Sequence, residues 1–353
     1  MPDFPQPLDL RRLKVHPLAE RLSQSRLEEI LVEPDDPPPR CAENIARTIR
    51  ACAQKIIAAR RRNAAVMLIY GAHLIKNGGQ LLINRLMESG WLTHLATNGA
   101  GIIHDWEFAF LGRSTENVRD NVASGTFGAW DETGRNIHLA LLAGGLRADG
   151  FGRALGRLMV QPVAPALADL LQAMRSHQLK PGRHTVPHPW RHTSVLAQAF
   201  RQEIPLTVHP GIGYDIISNH PMFNGAVIGR AAEIDFRLFG ASVEKLDGGV
   251  VLSIGSAIMG PQVFEKSLSC VNNLRLQGRR PIVKDHTIYV VDLQDGGSWD
   301  WTKGEPPKDN PAYYLRFCKS YSRMGGTMHY VQRDNLAFLH NLFHALPREH
   351  PKT

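Results

Sequence analysis

The sequence predicts an α/β fold, a Rossmann-like, doubly wound and mainly parallel sheet with a helical insertion and an N-terminal helical arm. Three observations predict it. Short, continuous apolar runs such as Ala64-Ala65-Val66-Met67-Leu68-Ile69-Tyr70 have strand length and no polar alternation, the mark of strands buried on both faces. Longer segments of helical period separate them, as crossover helices would. Small or polar residues follow the runs, where strand-to-helix turns belong.

The N-terminal 41 residues are Pro-rich and end in Asp35-Asp36-Pro37-Pro38-Pro39, so they read as an arm or linker around one short helix from Leu18 to Leu31. One α/β domain is expected over 42–350. Its first helix covers 42–62, with Ile45, Ile49, Cys52, Ile56 and Ile57 on one face. A strand follows over Ala64–Tyr70, broken by Gly71. Gly78-Gly79 opens a second helix, Trp91–Thr97 a second strand, and Ile102–Phe110 a third helix. Residues 117–200 are mainly helical in pattern, interrupted at Gly144-Gly145 and at 181–192. The alternation resumes with strands at Ile204–His209, Val250–Ile254 and Thr287–Asp292. Helices are expected at Phe223–Phe239, from the Gly255 loop to about Gln277, at Asn310–Ser320 and at Asn335–Ala345.

Composition bounds the function. Of 353 residues 43% are apolar and 21% charged, ordinary values for a globular protein. No apolar run approaches the ~18–20 residues of a membrane span, and the first residues lack the apolar stretch of a signal peptide. The four cysteines show no CxxC spacing, which fits free thiols in a cytoplasmic protein. Net charge is +8, yet Arg60-Arg61-Arg62 is the one compact basic run and no aromatic alternation accompanies it. Nucleic acid binding is therefore disfavoured.

Ligands of open parallel sheets sit beyond the carboxyl ends of the strands. Loops 71–78, 97–101, 255–257 and 292–298 qualify, although none is a strict GxGxxG. No GxSxG, GxxxxGK[ST] or HExxH occurs. His184, His188 and His192 are four apart, but Pro187 and Pro189 prevent one helix from presenting them, and no metal is expected. Lys319, in Tyr314-Leu315-Arg316-Phe317-Cys318-Lys319-Ser320-Tyr321, is a lysine among apolar neighbours. It is either a solvated residue at a helix end or a desolvated amine able to attack a carbonyl or imine carbon.

At Leu74-Ile75-Lys76-Asn77-Gly78 and at Leu95-Ala96-Thr97-Asn98-Gly99-Ala100-Gly101-Ile102-Ile103-His104-Asp105 the chain resembles deoxyhypusine synthase. Gly255, Tyr289-Val290-Val291-Asp292-Leu293-Gln294, Gly297-Ser298, Phe317-Cys318-Lys319 and Tyr330 continue the resemblance in the same order over roughly 42–346. The resemblance implies a homotetramer that binds NAD, oxidises spermidine and carries the aminobutyl fragment as an imine on a lysine before passing it to a protein. It implies Lys319 as nucleophile, and Asp215 and Phe317 at the amine substrate. His73, Asn77, Thr97, Asn98, Gly99, Gly255, Ser256, Ala257, Asp292 and Leu293 would line the dinucleotide.

The departures are specific. The family's Lys-His-His, source of its base, falls on Gly260-Pro261-Gln262, and its downstream asparagine on Lys266. Its Glu-Glu falls on Ile103-His104, its tryptophan on Phe317, and a glutamate before the lysine on Tyr313. His73, His104, His209 and His329 are alternative bases. A dinucleotide-binding homologue with another substrate, or with no catalysis, is the competing reading.

Overall fold

Six strands form a sheet in which every neighbouring pair is parallel. In the computed structural model, which describes residues 7–145, 149–161, 174–175, 177–180, 182 and 184–348, they are β1 (Val66–Tyr70), β2 (His94–Thr97), β3 (Leu206–Val208), β4 (Val250–Ile254), β5 (Thr287–Asp292) and β6 (Thr327–Gln332). Their order across the sheet is β3-β2-β1-β4-β5-β6. This is the Rossmann-like, doubly wound arrangement, and it reverses direction between β1 and β4.

Side chains alternate between two cores because strand period is two. Val66, Leu68 and Tyr70 face one core, filled by the Glu43–Arg61, Gln80–Glu88, Gly99–Leu111 and Asn335–Ala345 helices. Met67 and Ile69 face the other, closed by helices Gly225–Val243, Met259–Gln277 and Arg316–Ser322. The helices start where short polar side chains accept their first amides: Asn98 from Gly101, Ser194 from Ala197, Asn224 from Ala226 and Asp334 from Ala337.

Three expectations need correction. β6 falls in no apolar run, since it is an edge strand in which only Met328 and Val331 are buried and His329 and Tyr330 between them are half-buried. The expected helix over Leu18–Leu31 is instead a 3-10 turn at Leu18–Glu20 and one helical turn at Leu27–Ile30. Between them Ser25-Arg26 pairs with Arg113-Ser114, and Arg21 leaves the surface to meet Glu107. The expected helix over Asn310–Ser320 breaks at Leu315 (φ −74°, ψ 82°), leaving a turn at Pro311–Tyr314 before the Arg316–Ser322 helix.

The N-terminal segment is built into this body. Leu18 and Leu27 are buried in the first core. His344 and His340 meet the carbonyls of Pro34 and Asp36, and Asn341 donates to that of Pro39, so the Pro-rich stretch lies along the last helix. All four cysteines are free thiols. Among the described residues no helix is long and apolar enough to cross a membrane.

Candidate functional site at the carboxyl edge of the sheet

Gly71 ends β1 and Gly255 ends β4, on either side of the reversal. The Gly71 amide donates to the Ile254 carbonyl at 3.0 Å, and a Cβ on Gly71 would stand 2.0 Å from the Gly255 carbonyl oxygen. Gly255 has φ +61°, the left-handed region, and a Cβ there would meet the Asn335 amide nitrogen at 2.3 Å. The two turns thus bring bare backbone to the crevice. Asn335 Oδ1 is buried with no partner among the described residues, an acceptor left open beside Gly255. Ser256 Oγ accepts from the Gly260 amide at 3.1 Å, and Ala257 is half-buried next to it.

At the end of β2 the backbone is again close-packed. Thr97 Oγ1 donates to the Tyr70 carbonyl at 2.9 Å, so this hydroxyl ties β2 to β1. Asn98 Oδ1 accepts from Gly101 at 2.9 Å and caps the helix that follows. Gly99 lies under Asp215: a Cβ would stand 2.7 Å from the carboxyl carbon. That carboxylate accepts from the Gly211 amide at 2.8 Å and from the Gly99 and Ala100 amides. Burial pushes the Asp215 carboxyl up, while these amides oppose the rise. His73 and Asn77 are exposed. Asp292 Oδ1 accepts from the Gln294 amide at 3.1 Å, and Leu293 is exposed.

Lys319 lies on the β4–β6 half. Its Nζ stands 3.6 Å from the centre of the Tyr313 ring, a cation–π contact. Tyr313, at the position where deoxyhypusine synthases carry a glutamate in the sequence resemblance, is thus the residue under the lysine. Glu305, held by a two-pronged contact with Arg323, is the nearby carboxylate; Arg323 first, and the Lys319 charge to a lesser degree, keep its acid form suppressed. Phe317 is buried, its ring 6.2 Å from that of Tyr330. Asp215 lies at the β2 end, so sheet order puts Asp215 and Lys319 on opposite halves.

A polar cleft of about 370 Å³ lies beside β6, lined by Asp295, Ser298, Asp300, Trp301, His329 and Tyr330. The loop expected at 292–298 therefore does border a cavity. Another cavity, about 390 Å³ between Arg153, Phe200 and Ile234, opens at Pro205-Leu206, the amino end of β3. That is the wrong end of the sheet for the chemistry of this fold. Of the alternative bases, His73 is exposed and His329 stacks on Tyr289 at 4.9 Å. Half-buried His104 meets Ser114 at 2.8 Å. His209 joins a buried chain, its Nε2 3.0 Å from Thr207 Oγ1, which is 3.0 Å from His94. Burial lowers His104 and His209 to about 4 and His94 to about 3.

His188 packs edge-on against Trp106 at 5.6 Å, and among the described residues no group of three or more His, Cys, Asp or Glu could hold a metal. The open acceptor of Asn335 and the partnership of His94 with His209 through Thr207 escape sequence reading because they bear no periodic or motif signal. Asp105, expected on the family's final Asp, accepts from Ser194 and from the Val195 and Leu196 amides. Burial first of all raises it to about 6 despite them.

No family model matches the sequence, and no curated protein does. Solved structures resemble it in overall course. AgrE in ternary complex with ornithine and NAD+ matches at TM-score 0.46 and 14% identity, over 87% of this chain and 34% of AgrE. A candidate LOR/SDH protein from Methanococcus maripaludis S2 matches at 0.43 and 16%, over 90% of this chain and 72% of that one. A candidate deoxyhypusine synthase from Entamoeba histolytica matches at 0.36 and 12%, over 71% and 81%. The chain spans about a third of the length of AgrE and of the cyanobacterial arginine dihydrolase ArgZ. At such identities and TM-scores no residue role passes from these proteins to this one.

Proposed function

We propose that this chain is a deoxyhypusine-synthase-like enzyme that binds NAD across the β1/β4 crevice and acts on a spermidine-like amine. The observation that carries the reading is the strand order with its reversal between two bare glycine turns, Gly71 and Gly255. The residues present fit such a group: backbone free of Cβ atoms at both turns, and the open acceptor of Asn335 beside them. When bound, NAD would take a hydride from the carbon next to the amine nitrogen. Lys319 then adds its Nζ to the resulting imine carbon, the original nitrogen leaves as a free amine, and the alkyl fragment stays on Lys319 as an imine. Phe317 and Tyr313 would wall the aliphatic part of the substrate. The sequence resemblance further suggests a cytoplasmic homotetramer and a protein acceptor.

The test is incubation with NAD+ and a panel of di- and polyamines, borohydride reduction, and mass spectrometry of the Lys319 peptide. An adduct that disappears in Lys319→Arg, with NAD+ affinity kept within about threefold, is expected. A second reading, a dinucleotide-binding protein without this transfer, is favoured by one observation. Gly260 and Pro261, where the family has its histidine, are buried in the second core. NAD+ binding with no adduct and no amine-dependent NADH absorbance across the panel would leave that reading alone standing.

A further inference from the structure

The amino edge of the sheet, opposite the crevice, gathers charges that the proposed activity does not use. Segments leading into β1, β4 and β5 meet there: the Ala65 amide donates to the Lys245 carbonyl at 2.7 Å, and the Gly248 amide to the Lys284 carbonyl at 3.1 Å. A Cβ on Gly248 would stand 2.8 Å from a guanidinium nitrogen of Arg62, which therefore lies beside the same turn. Arg61, Arg62, Lys245, Arg279 and Lys284 are all exposed, and among the described residues none of them makes an ion pair. The acids of this edge are turned inward. Glu244 and Asp247 pair with buried Arg275 at 3.2 and 2.7 Å, and Glu244 also meets Arg280 at 2.6 Å. Asp285 is the unpaired acid left beside the outer cations.

Helix dipoles account for part of this charge, since Arg61 closes the Glu43–Arg61 helix and Arg279 follows Met259–Gln277. They do not account for the aliphatic side chains set among the cations. Leu274, Leu276 and Ile282 are 64%, 61% and 46% exposed. Their loop is held firmly: the Arg280 amide donates to the Arg275 carbonyl at 2.8 Å, and the Val283 amide to Asn272 Oδ1 at 2.9 Å. We infer that this edge docks on an anionic bilayer surface, the three aliphatic side chains entering the acyl boundary and the cations meeting the headgroups. Exposed aliphatic groups gain by leaving water, and each nearby cation gains in the negative surface potential. A nucleic acid would answer the charge alone. It would leave the aliphatic groups in water, and residues 274–285 hold no aromatic ring to stack on a base. Among the described residues no helix is long and apolar enough to cross a membrane, so the contact is with one surface. The crevice at the carboxyl edge then faces away from the lipid, open to soluble ligands.

Flotation of the full chain with lipid vesicles tests this without any mutation. Phosphatidylcholine vesicles holding about one-third phosphatidylserine should bind it at least about tenfold more tightly than pure phosphatidylcholine vesicles. Raising salt from about 0.1 to about 0.5 M should weaken the anionic-vesicle binding at least about fivefold, because the Debye length shortens. Arg279→Gln with Lys284→Gln should weaken it at least about tenfold, and so should Leu276→Ser with Ile282→Ser. Lys303→Gln with Lys308→Gln removes the same charge from the exposed loop beyond β5 and should change it less than about threefold. Thermal melting checks each fold, and the comparison of vesicles stands if a variant does not fold. No binding to anionic vesicles, or equal binding to both compositions, overturns the inference. So does a Leu276→Ser, Ile282→Ser chain that binds as tightly as the original. Tighter binding to a DNA duplex than to the anionic vesicles would also overturn it and give the edge to nucleic acid. None of these outcomes depends on NAD+, so this inference and the dinucleotide reading fail separately.

Discussion

Among single residues, Arg21 and Glu107 make the heaviest demand on the fold. The guanidinium donates both of its ends to the carboxylate at 2.8 and 2.7 Å, with side-chain exposures of 2% and 0%. Thr133 and Ser114 add hydroxyls to the same oxygens. Burial alone would raise the Glu107 carboxyl, but the Arg21 charge and these hydrogen bonds more than offset it and the group lies below its ordinary value. Removing one partner leaves a buried charge uncompensated. Glu107→Ala is expected to lose about 3–5 kcal/mol in urea unfolding, whereas the double change Arg21→Met with Glu107→Leu should lose less than either single change. Equal losses for the double and the single variants would contradict this account. None of it was legible locally, since Arg21 reads as one more charge on an N-terminal arm and Glu107 as a polar residue inside an apolar helix. Lys319 was the reverse case. Its neighbours singled it out, but the ring beneath it, Tyr313, stands on a separate turn across the Leu315 break.

At the level of elements, the strand-end turns are the most constrained parts. The Gly71 and Gly255 turns are packed backbone to backbone, so relief by side-chain movement is closed off. Gly71→Ala should destabilise by about 1–3 kcal/mol or more and weaken NAD+ binding in the same variant. Gly229, inside the Gly225–Val243 helix with open space around it, supplies the control: Gly229→Ala should raise stability by about 0.4–1 kcal/mol. A Gly71→Ala chain as stable as the original would show that the turns are less tightly joined than their geometry requires. The apolar runs made β1, β4 and β5 legible, because a strand covered on both faces has no polar positions to disguise it. β6 was not, because an edge strand with one neighbour carries mixed side chains.

Across the whole molecule, buried histidines set the response to acid. Burial first of all lowers His94 and His220 to about 3, and His104, His138, His188 and His209 to about 4. The unfolded chain binds these protons near pH 6.5 and the native chain does not, so stability falls as pH drops from about 6.5 toward 4. Asp105 and Asp235 work the other way. Burial raises them to about 6 and 7, so they take up protons in the native state first and favour it as pH falls from about 7 toward 4. Six histidines outweigh two acids. Urea unfolding at pH 6.5 and pH 5 should show a loss of at least about 2 kcal/mol at the lower pH. A gain in stability over that interval would mean that the acids dominate.

The sequence alone determined the class of fold, the course of most strands and helices, and the loops that meet beyond the strands. Periodicity and turn chemistry are local, and each reports how its own few residues are covered. Only the tertiary structure decided which loops become neighbours. It joined the β3 loop to the start of another helix, so that Asp215 supplies the β2 end with a carboxylate. It drew the N-terminal segment into the core through Arg21. It also set Lys319 on the opposite half of the sheet from Asp215. These pairings depend on the order of strands across the sheet and on buried polar groups finding partners far away in the chain, and no local pattern records either.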